Sequence, residues 1–145
     1  ELAEQLLACL GEEGSIVVYS AYERISIKTL GRLFPDLSGP LNALVDRLFD
    51  LLKVVKRTVY HPEFLGSYSI KRVLPVLVPS GLSYADLQIQ DGDTAITRYA
   101  RMARCEAPPT EHRSLRHDLL AYCKHDTLAM AELHRALHKL TGGQC

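Results

Sequence analysis

The sequence predicts an α/β fold in which helices predominate and one or two short strands form the sheet. The run SIVVY (15–19) is rich in β-branched residues and lacks polar alternation, which is typical of a strand buried on both faces. Most of the rest of the 145-residue chain shows the apolar spacing of amphipathic helices. These two observations favour helices packed around a very small sheet.

Three helices are predicted around this strand. Helical apolar spacing covers residues 2–10 and stops at Gly11, whose residue type favours a helix end. A second helix runs from about residue 22 to residue 34, where a proline follows. A third helix is predicted from about residue 41 to about residue 60, with no second convincing strand anywhere in the chain.

The C-terminal part is predicted to be helical throughout. Ser69 is placed to cap a short helix that Pro75 and Pro79 limit. Residues 83–89 begin with a Ser-x-x-Asp cap, and residues 94–102 have helical spacing. A last helix or helix pair covers about residues 111–140.

A single buried strand leaves its backbone N–H and C=O groups without partners, at about 1–3 kcal/mol for each unsatisfied group. Upstream residues or a second copy of the chain would have to supply the partner strand. The first residue is Glu rather than Met, in keeping with a piece of a longer protein. We therefore expect residues 1–145 to be a single domain, the C-terminal majority of a larger one, and expect a homodimer through strand 15–19.

Composition excludes several classes of protein. The chain carries 17 basic and 17 acidic residues, so it is not a strongly basic nucleic-acid binder, although basic residues concentrate in 51–104. No apolar run approaches the roughly 20 residues of a membrane span. The four cysteines are widely spaced without a C-x-x-C pair, which predicts a reduced, cytoplasmic protein without a zinc site or disulfides.

Two acidic residues interrupt apolar helix faces. Asp126 falls in the middle of a stripe on the last helix, one turn after Tyr122, and Glu23 lies within the apolar arc of the second helix. A carboxylate there is costly unless it is paired, hydrogen-bonded or bound to a cation. Either acid alone could be satisfied by a nearby donor, whereas the two together favour a site. Asp50, by spacing alone, is a solvated acid on a helix.

The order of these features resembles the DEDD superfamily of exonucleases, which have RNase H-like, DnaQ-like folds. VVYSAYE (17–23) is similar to their second motif and AYCKHD (121–126) to the tyrosine form of their third. The blocks 60–79 and 82–95 are more specific. They resemble a bacterial domain-of-unknown-function family, typically found C-terminal to RecB- or Cas4-like nuclease regions.

The resemblance implies a partial RNase H-like fold and 3'–5' exonuclease chemistry with two divalent ions, Mg²⁺ or Mn²⁺, acting on a single-stranded end. Glu23 and Asp126 would be metal ligands, and Tyr122 would orient the attacking water. Three further residues would contact the substrate: Asp50, Ser69 and Lys71. The first exonuclease motif, Asp-x-Glu, occurs nowhere in the chain. We therefore expect the longer protein to be a nuclease and this chain alone to be inactive.

Three other interpretations compete. The main alternative is a non-catalytic domain on the same scaffold that binds nucleic acid or protein. An HD-type phosphohydrolase using His112, His117, His125 and Asp126 is disfavoured, because His125 and Asp126 are expected to point to different faces of the helix. In the third interpretation the helices form a bundle and the acids are structural.

Overall fold

The computed structural model describes residues 1–78 and 82–142, so Pro79 lies outside the described residues. Helices account for most of the described chain and two short strands pair, which confirms the predominantly helical α/β class. None of these helices is both long enough and apolar enough to cross a membrane. The elements are α1 (Leu2–Leu10), β1 (Ile16–Val18), α2 (Tyr22–Leu33), α3 (Ser38–Asp46), β2 (Leu48–Asp50), α4 (Leu51–Thr58), α5 (Ile70–Leu77), α6 (Gly92–Ala103) and α7 (Pro109–Leu140).

The chain divides into two compact units, Glu1–Pro62 and Glu63–Cys145. The assignment of one domain over residues 1–145 stays a prediction. In the first unit, α3 packs against α1 and α2, and its apolar face forms the core. The buried members of this core are Ala3, Ile27, Leu41, Leu44 and Val45.

The two strands of the first unit are parallel, with Ile16 opposite Leu48 and Val18 opposite Asp50. The predicted third helix is therefore wrong in its middle, because α3 ends at Asp46 and a strand separates it from α4. β2 is also the partner strand that the sequence did not reveal. A homodimer through residues 15–19 stays a prediction, although the missing partner that motivated it is supplied within the chain.

The contacts of Arg47 explain why the predicted helix over about residues 41–60 is interrupted by β2. Its guanidinium donates to the carbonyls of Leu10 at 3.0 Å and Gly14 at 2.7 Å, and also to those of Gly11 and Glu13. Its own carbonyl accepts from the Ile16 N–H at 2.9 Å. One residue thus fixes the loop before β1 and brings β2 alongside it.

The exposure of β1 also differs from the expectation. Val18 is buried, but Ile16 and Val17 are only half-buried, so the strand is not enclosed on both faces. A continuous β-branched run is compatible with either environment, since the side chains suit any pleated surface.

The second unit is built around α7, a single 32-residue helix that packs against α5 and α6. Its buried side chains are Leu115, Ala129, Leu133 and Leu137. Residues 83–89 form turns, so the helix that their Ser-x-x-Asp cap predicted is absent there. The Ser83 Oγ accepts from the Ala85 N–H at 3.1 Å, and the Gln90 side-chain amide donates to the carbonyls of Ala85 and Leu87. Such local bonds compete with helix formation.

Candidate functional site

The predicted site residues divide between the two units. The first unit contains Glu23 and Asp50. The second contains Ser69, Lys71, Tyr122 and Asp126. A shared metal site of Glu23 and Asp126 stays a prediction.

Asp126 is half-buried on α7, and a tyrosine that the sequence pattern did not indicate satisfies it. The Tyr84 hydroxyl donates a hydrogen bond of 2.6 Å to Asp126 Oδ1. Tyr84 itself is only 7% exposed and comes from the turns before α6. Burial, followed by the hydrogen bond to Asp126, raises the pKa of Tyr84, so its O–H remains a donor at neutral pH.

His125 belongs to the same group, although His125 and Asp126 were expected to point to different faces of the helix. The ring centroids of Tyr84 and His125 are 4.5 Å apart in an edge-on arrangement. Adjacent helix residues are separated by about 100°. Tyr84 nevertheless contacts both residues, because its ring lies against His125 while its hydroxyl bonds to Asp126. His125 Nε2 is buried and has no hydrogen-bond partner among the residues described.

Tyr122 lies one turn before Asp126, as the spacing predicted. Burial, together with the negative charges of Asp126 and Asp91, raises the pKa of Tyr122 to about 12. The N-terminal end of α6 approaches it, since a Cβ at Gly92 would lie 3.9 Å from the Tyr122 hydroxyl oxygen. At neutral pH the Tyr122 hydroxyl is therefore protonated and can donate a hydrogen bond, with the carboxylates of Asp126 and Asp91 nearby.

Lys71 and Asp91 complete this polar group. The Lys71 Nζ lies 5.6 Å from the centroid of the Tyr84 ring, within cation–π range. Asp91 caps α6 by accepting from Thr94 N–H at 2.7 Å and Thr94 Oγ1 at 2.9 Å. These bonds and the Lys71 charge hold the pKa of the Asp91 carboxyl below its usual value. We call the group the Tyr84 cluster; its members are Lys71, Tyr84, Asp91, Tyr122, His125 and Asp126.

Ser69 is close to this cluster in sequence but has no comparable side-chain contact with the residues that the structure describes. It occupies the N-cap position of α5, as predicted, yet its hydroxyl makes no capping hydrogen bond among the described residues. Pro75 lies inside α5, so the prediction that it limits this helix is wrong. A cavity of about 390 Å³ lies beside α5 and the turns, and Lys71, Tyr84 and Asp91 line it while Ser69 does not.

In the first unit, Glu23 is half-buried in the first turn of α2. The Ser20 hydroxyl donates to Glu23 Oε2 at 3.4 Å and accepts from the Tyr22 N–H at 3.0 Å. A hydroxyl donor therefore meets part of the cost of placing this carboxylate on a partly apolar face.

Asp50 is not the solvated helical acid that its spacing suggested. It ends β2 and caps α4, with its Oδ1 accepting from the Leu52 N–H at 3.0 Å. Burial, then the negative charge of Asp50, raises the pKa of Tyr19 to about 12.

A second cavity opens at the carboxyl ends of β1 and β2, between α2 and α4. Its volume is about 420 Å³, within the range of small-ligand sites. We call it the carboxyl-end cavity. Its polar lining consists of Ser20, Arg24, Asp50, Lys53, Arg57 and Thr58.

Sequence reasoning missed Tyr84, the centre of the second-unit group. The signal was its position in LSYADLQIQDGDTA (82–95), part of the most specific block of the resemblance, but no pattern in the sequence indicated Tyr84 as the donor to Asp126. Lys53 and Arg57 belong to the basic region 51–104, but their convergence with Arg24 was not predicted, because it depends on the strand at 48–50.

Comparison with known proteins places the chain beside families without an assigned activity. The sequence model described as "Domain of unknown function (DUF2779)" matches residues 1–69, which include the whole first unit. "Uncharacterized protein UU173" of Ureaplasma parvum serovar 3 is 24% identical over 147 residues, covering 90% of this chain. The chain spans only 21% of that relative's length. No solved structure matches. These findings agree with the expected bacterial family of unknown function.

Proposed function

We propose that this chain is part of a metal-dependent nuclease domain of the RNase H-like, 3'–5' exonuclease type, and that alone it binds single-stranded nucleic acid without cleaving it. The observation that carries the proposal is the pairing of Tyr122 and Asp126 on one face of α7, with Asp126 held in place by Tyr84. A tyrosine and a fixed carboxylate one turn apart are the elements that the resemblance requires of its third motif.

In this pair a hydrogen-bond donor, the Tyr122 hydroxyl, lies near an acceptor, the Asp126 carboxylate. Tyr122 keeps its proton at neutral pH, because its pKa is about 12, so its hydroxyl can donate to a water or a phosphate oxygen. The bond from Tyr84 engages Asp126 Oδ1, and Oδ2 accepts no hydrogen bond from the described residues, so it can take another partner. The pair could thus hold a polar ligand without changing its own protonation.

The residues that the structure describes do not fit a complete two-ion site. Two divalent ions in such nucleases are held by about four carboxylates. No group of three His, Cys, Asp or Glu side chains suited to a metal occurs within residues 1–78 and 82–142. The described residues therefore do not supply the ligands that two ions need. In the proposal, Asp126 contributes one ligand to a site that needs further ligands.

The non-catalytic alternative has one observation in its favour. The Tyr84 hydrogen bond and the Tyr84–His125 ring contact give Asp126 a structural role without any cation. A domain of this kind would bind nucleic acid or a partner protein and would keep Asp126 for stability.

The experiment that tests the proposal uses end-labelled single-stranded DNA and RNA with and without Mn²⁺. We expect the 145-residue chain to bind these strands without shortening them. A longer chain that also carries an Asp-x-Glu strand should shorten them only with Mn²⁺. Asp126→Asn should abolish this shortening, whereas Asp46→Asn, at an exposed helical acid, should not. Equal activity of both variants, or no cleavage by any longer chain, would contradict the nuclease proposal.

A further inference from the structure

Three basic side chains converge on the carboxyl-end cavity from two helices. Arg24 comes from the first turns of α2, while Lys53 and Arg57 are four residues apart on the same face of α4. None of the three forms an ion pair with the described residues. Three like charges around one cavity repel one another, and an anion bound among them would relieve that repulsion.

Backbone donors add to this charge. Ser20 and Ala21 line the cavity at the start of α2, and Ala21 provides no side-chain cap. The Tyr22 N–H is taken by Ser20, while the next two N–H groups of the first turn have no intrahelical acceptor. The positive end of the α2 dipole therefore faces the same region as the three cations.

Asp50 does not offset this positive charge. Among the described residues that line the cavity it is the one acid, and its Oδ1 is already engaged by the Leu52 N–H. The lining thus combines three cations with one carboxylate. Its apolar wall includes Val18 and Phe49, and Phe49 is 45% exposed, so a flat apolar surface lies beside the cations.

This combination identifies the chemical class of ligand. Arginine matches the oxygens of a phosphate with two parallel hydrogen bonds, and lysine adds a point charge. An exposed aromatic ring next to such cations suits the stacking of an unpaired base. We propose that the carboxyl-end cavity binds a phosphate group of a single-stranded nucleic acid. The phosphate class follows from the cavity alone, while its source, a nucleic-acid strand, rests on the proposed function.

The test compares matched charge removals on the same helices. Lys53→Ala with Arg57→Ala removes two cavity cations from α4, and Lys56→Ala removes an exposed lysine of that helix outside the lining. Arg24→Ala and Lys28→Ala form the corresponding pair on α2. The probes are a fluorescein-labelled single-stranded oligonucleotide, followed by anisotropy, and pyrophosphate, followed by calorimetry. Circular dichroism confirms that each variant is folded.

We expect each cavity variant to weaken oligonucleotide binding by about tenfold or more, as for loss of a hydrogen bond to a charged group. The slope of log K against log salt should fall by about 0.7 for each phosphate that is no longer neutralised. Neither Lys56→Ala nor Lys28→Ala should change binding by more than about twofold, since an exposed charge outside the site acts only through screened solvent.

The remaining outcomes separate this inference from the proposed function. Pyrophosphate binding that is lost in the cavity variants, without any oligonucleotide binding, would uphold the phosphate site and contradict a nucleic-acid function. Oligonucleotide binding that all the variants weaken equally would overturn the site and leave the nucleic-acid function standing. If the chain binds neither the oligonucleotide nor pyrophosphate, both the phosphate site and the proposed nucleic-acid function are wrong.

Discussion

The two units of this chain differ in whether their charged side chains have partners within the fold. In the second unit, Asp126 is bonded to Tyr84, Asp91 to Thr94, and Lys71 lies over an aromatic ring. In the first unit, the cations of the carboxyl-end cavity have no acidic partner among the described residues. Polar groups that satisfy one another stabilise the fold, whereas cations left without a partner on an open cavity are available to a ligand.

The difference follows from the elements that hold each set. The cavity of the first unit lies where two parallel strands end and two helices begin, a position that exposes helix N-termini. The Tyr84 cluster lies where a turn segment packs onto a long helix, so its side chains meet one another directly. We therefore expect substitutions in the first unit's cavity to change binding and substitution of Tyr84, which bonds to Asp126, to change stability.

The largest stability effect should come from Arg47, which holds the first unit's sheet in place. Arg47→Ala removes a guanidinium that donates to four carbonyls, among them those of Leu10 and Gly14. The free energy of unfolding should fall by about 2–3 kcal/mol, the contribution of hydrogen bonds to a charged group. Urea denaturation measures it, with Arg32→Ala, at an exposed arginine of α2, as the control. Equal losses in both variants would show that Arg47 does not organise the sheet.

A smaller effect is expected at the centre of the second unit. Tyr84→Phe keeps the ring against His125 but removes the hydrogen bond to Asp126, leaving a half-buried carboxylate without its donor. The free energy of unfolding should fall by about 1.5 kcal/mol. Tyr99→Phe, at a tyrosine that is 59% exposed, should leave stability unchanged. If Tyr84→Phe left the free energy of unfolding unchanged, the hydrogen bond from Tyr84 to Asp126 would not stabilise the second unit.

The smallest predicted effect is on the fall in stability at alkaline pH. The pKa of Tyr122 is about 12 in the folded chain and near its ordinary value of 10.0 when unfolded, so the folded state keeps a proton that the unfolded state loses. The stabilisation is complete below about pH 10 and is lost as the pH rises to about 12. Tyr122→Phe should therefore flatten the fall in stability over this range. Denaturation at about pH 9, 10 and 11 measures the change, and an unaltered profile would contradict the assigned surroundings of Tyr122.

The sequence predicted those parts of the fold that are encoded locally. Helix α1 ends at Gly11, whose φ is 55°, a conformation that favours glycine. Asp126 lies one turn after Tyr122 because the period of a helix fixes that spacing. Both features depend only on near neighbours along the chain.

The missed features depend on distant contacts. The strand at 48–50 forms because Arg47 bonds to carbonyls more than thirty residues earlier, and no local pattern indicates that interaction. Tyr84 reaches Asp126 across 42 positions of sequence. The convergence of Arg24 with Arg57 likewise requires the parallel pairing of β1 and β2. Sequence alone therefore located the candidate acids but not the groups around them.

The most direct test of the central claim, that the first unit's cations are the ones available to a nucleic acid, is amide chemical-shift mapping. ¹⁵N-labelled chain is titrated with a single-stranded oligonucleotide, and shift changes are followed residue by residue. We predict that the largest changes fall at Ser20, Ala21, Lys53 and Arg57 around the carboxyl-end cavity. Changes concentrated instead at the Tyr84 cluster, with the cavity amides unmoved, would contradict the claim.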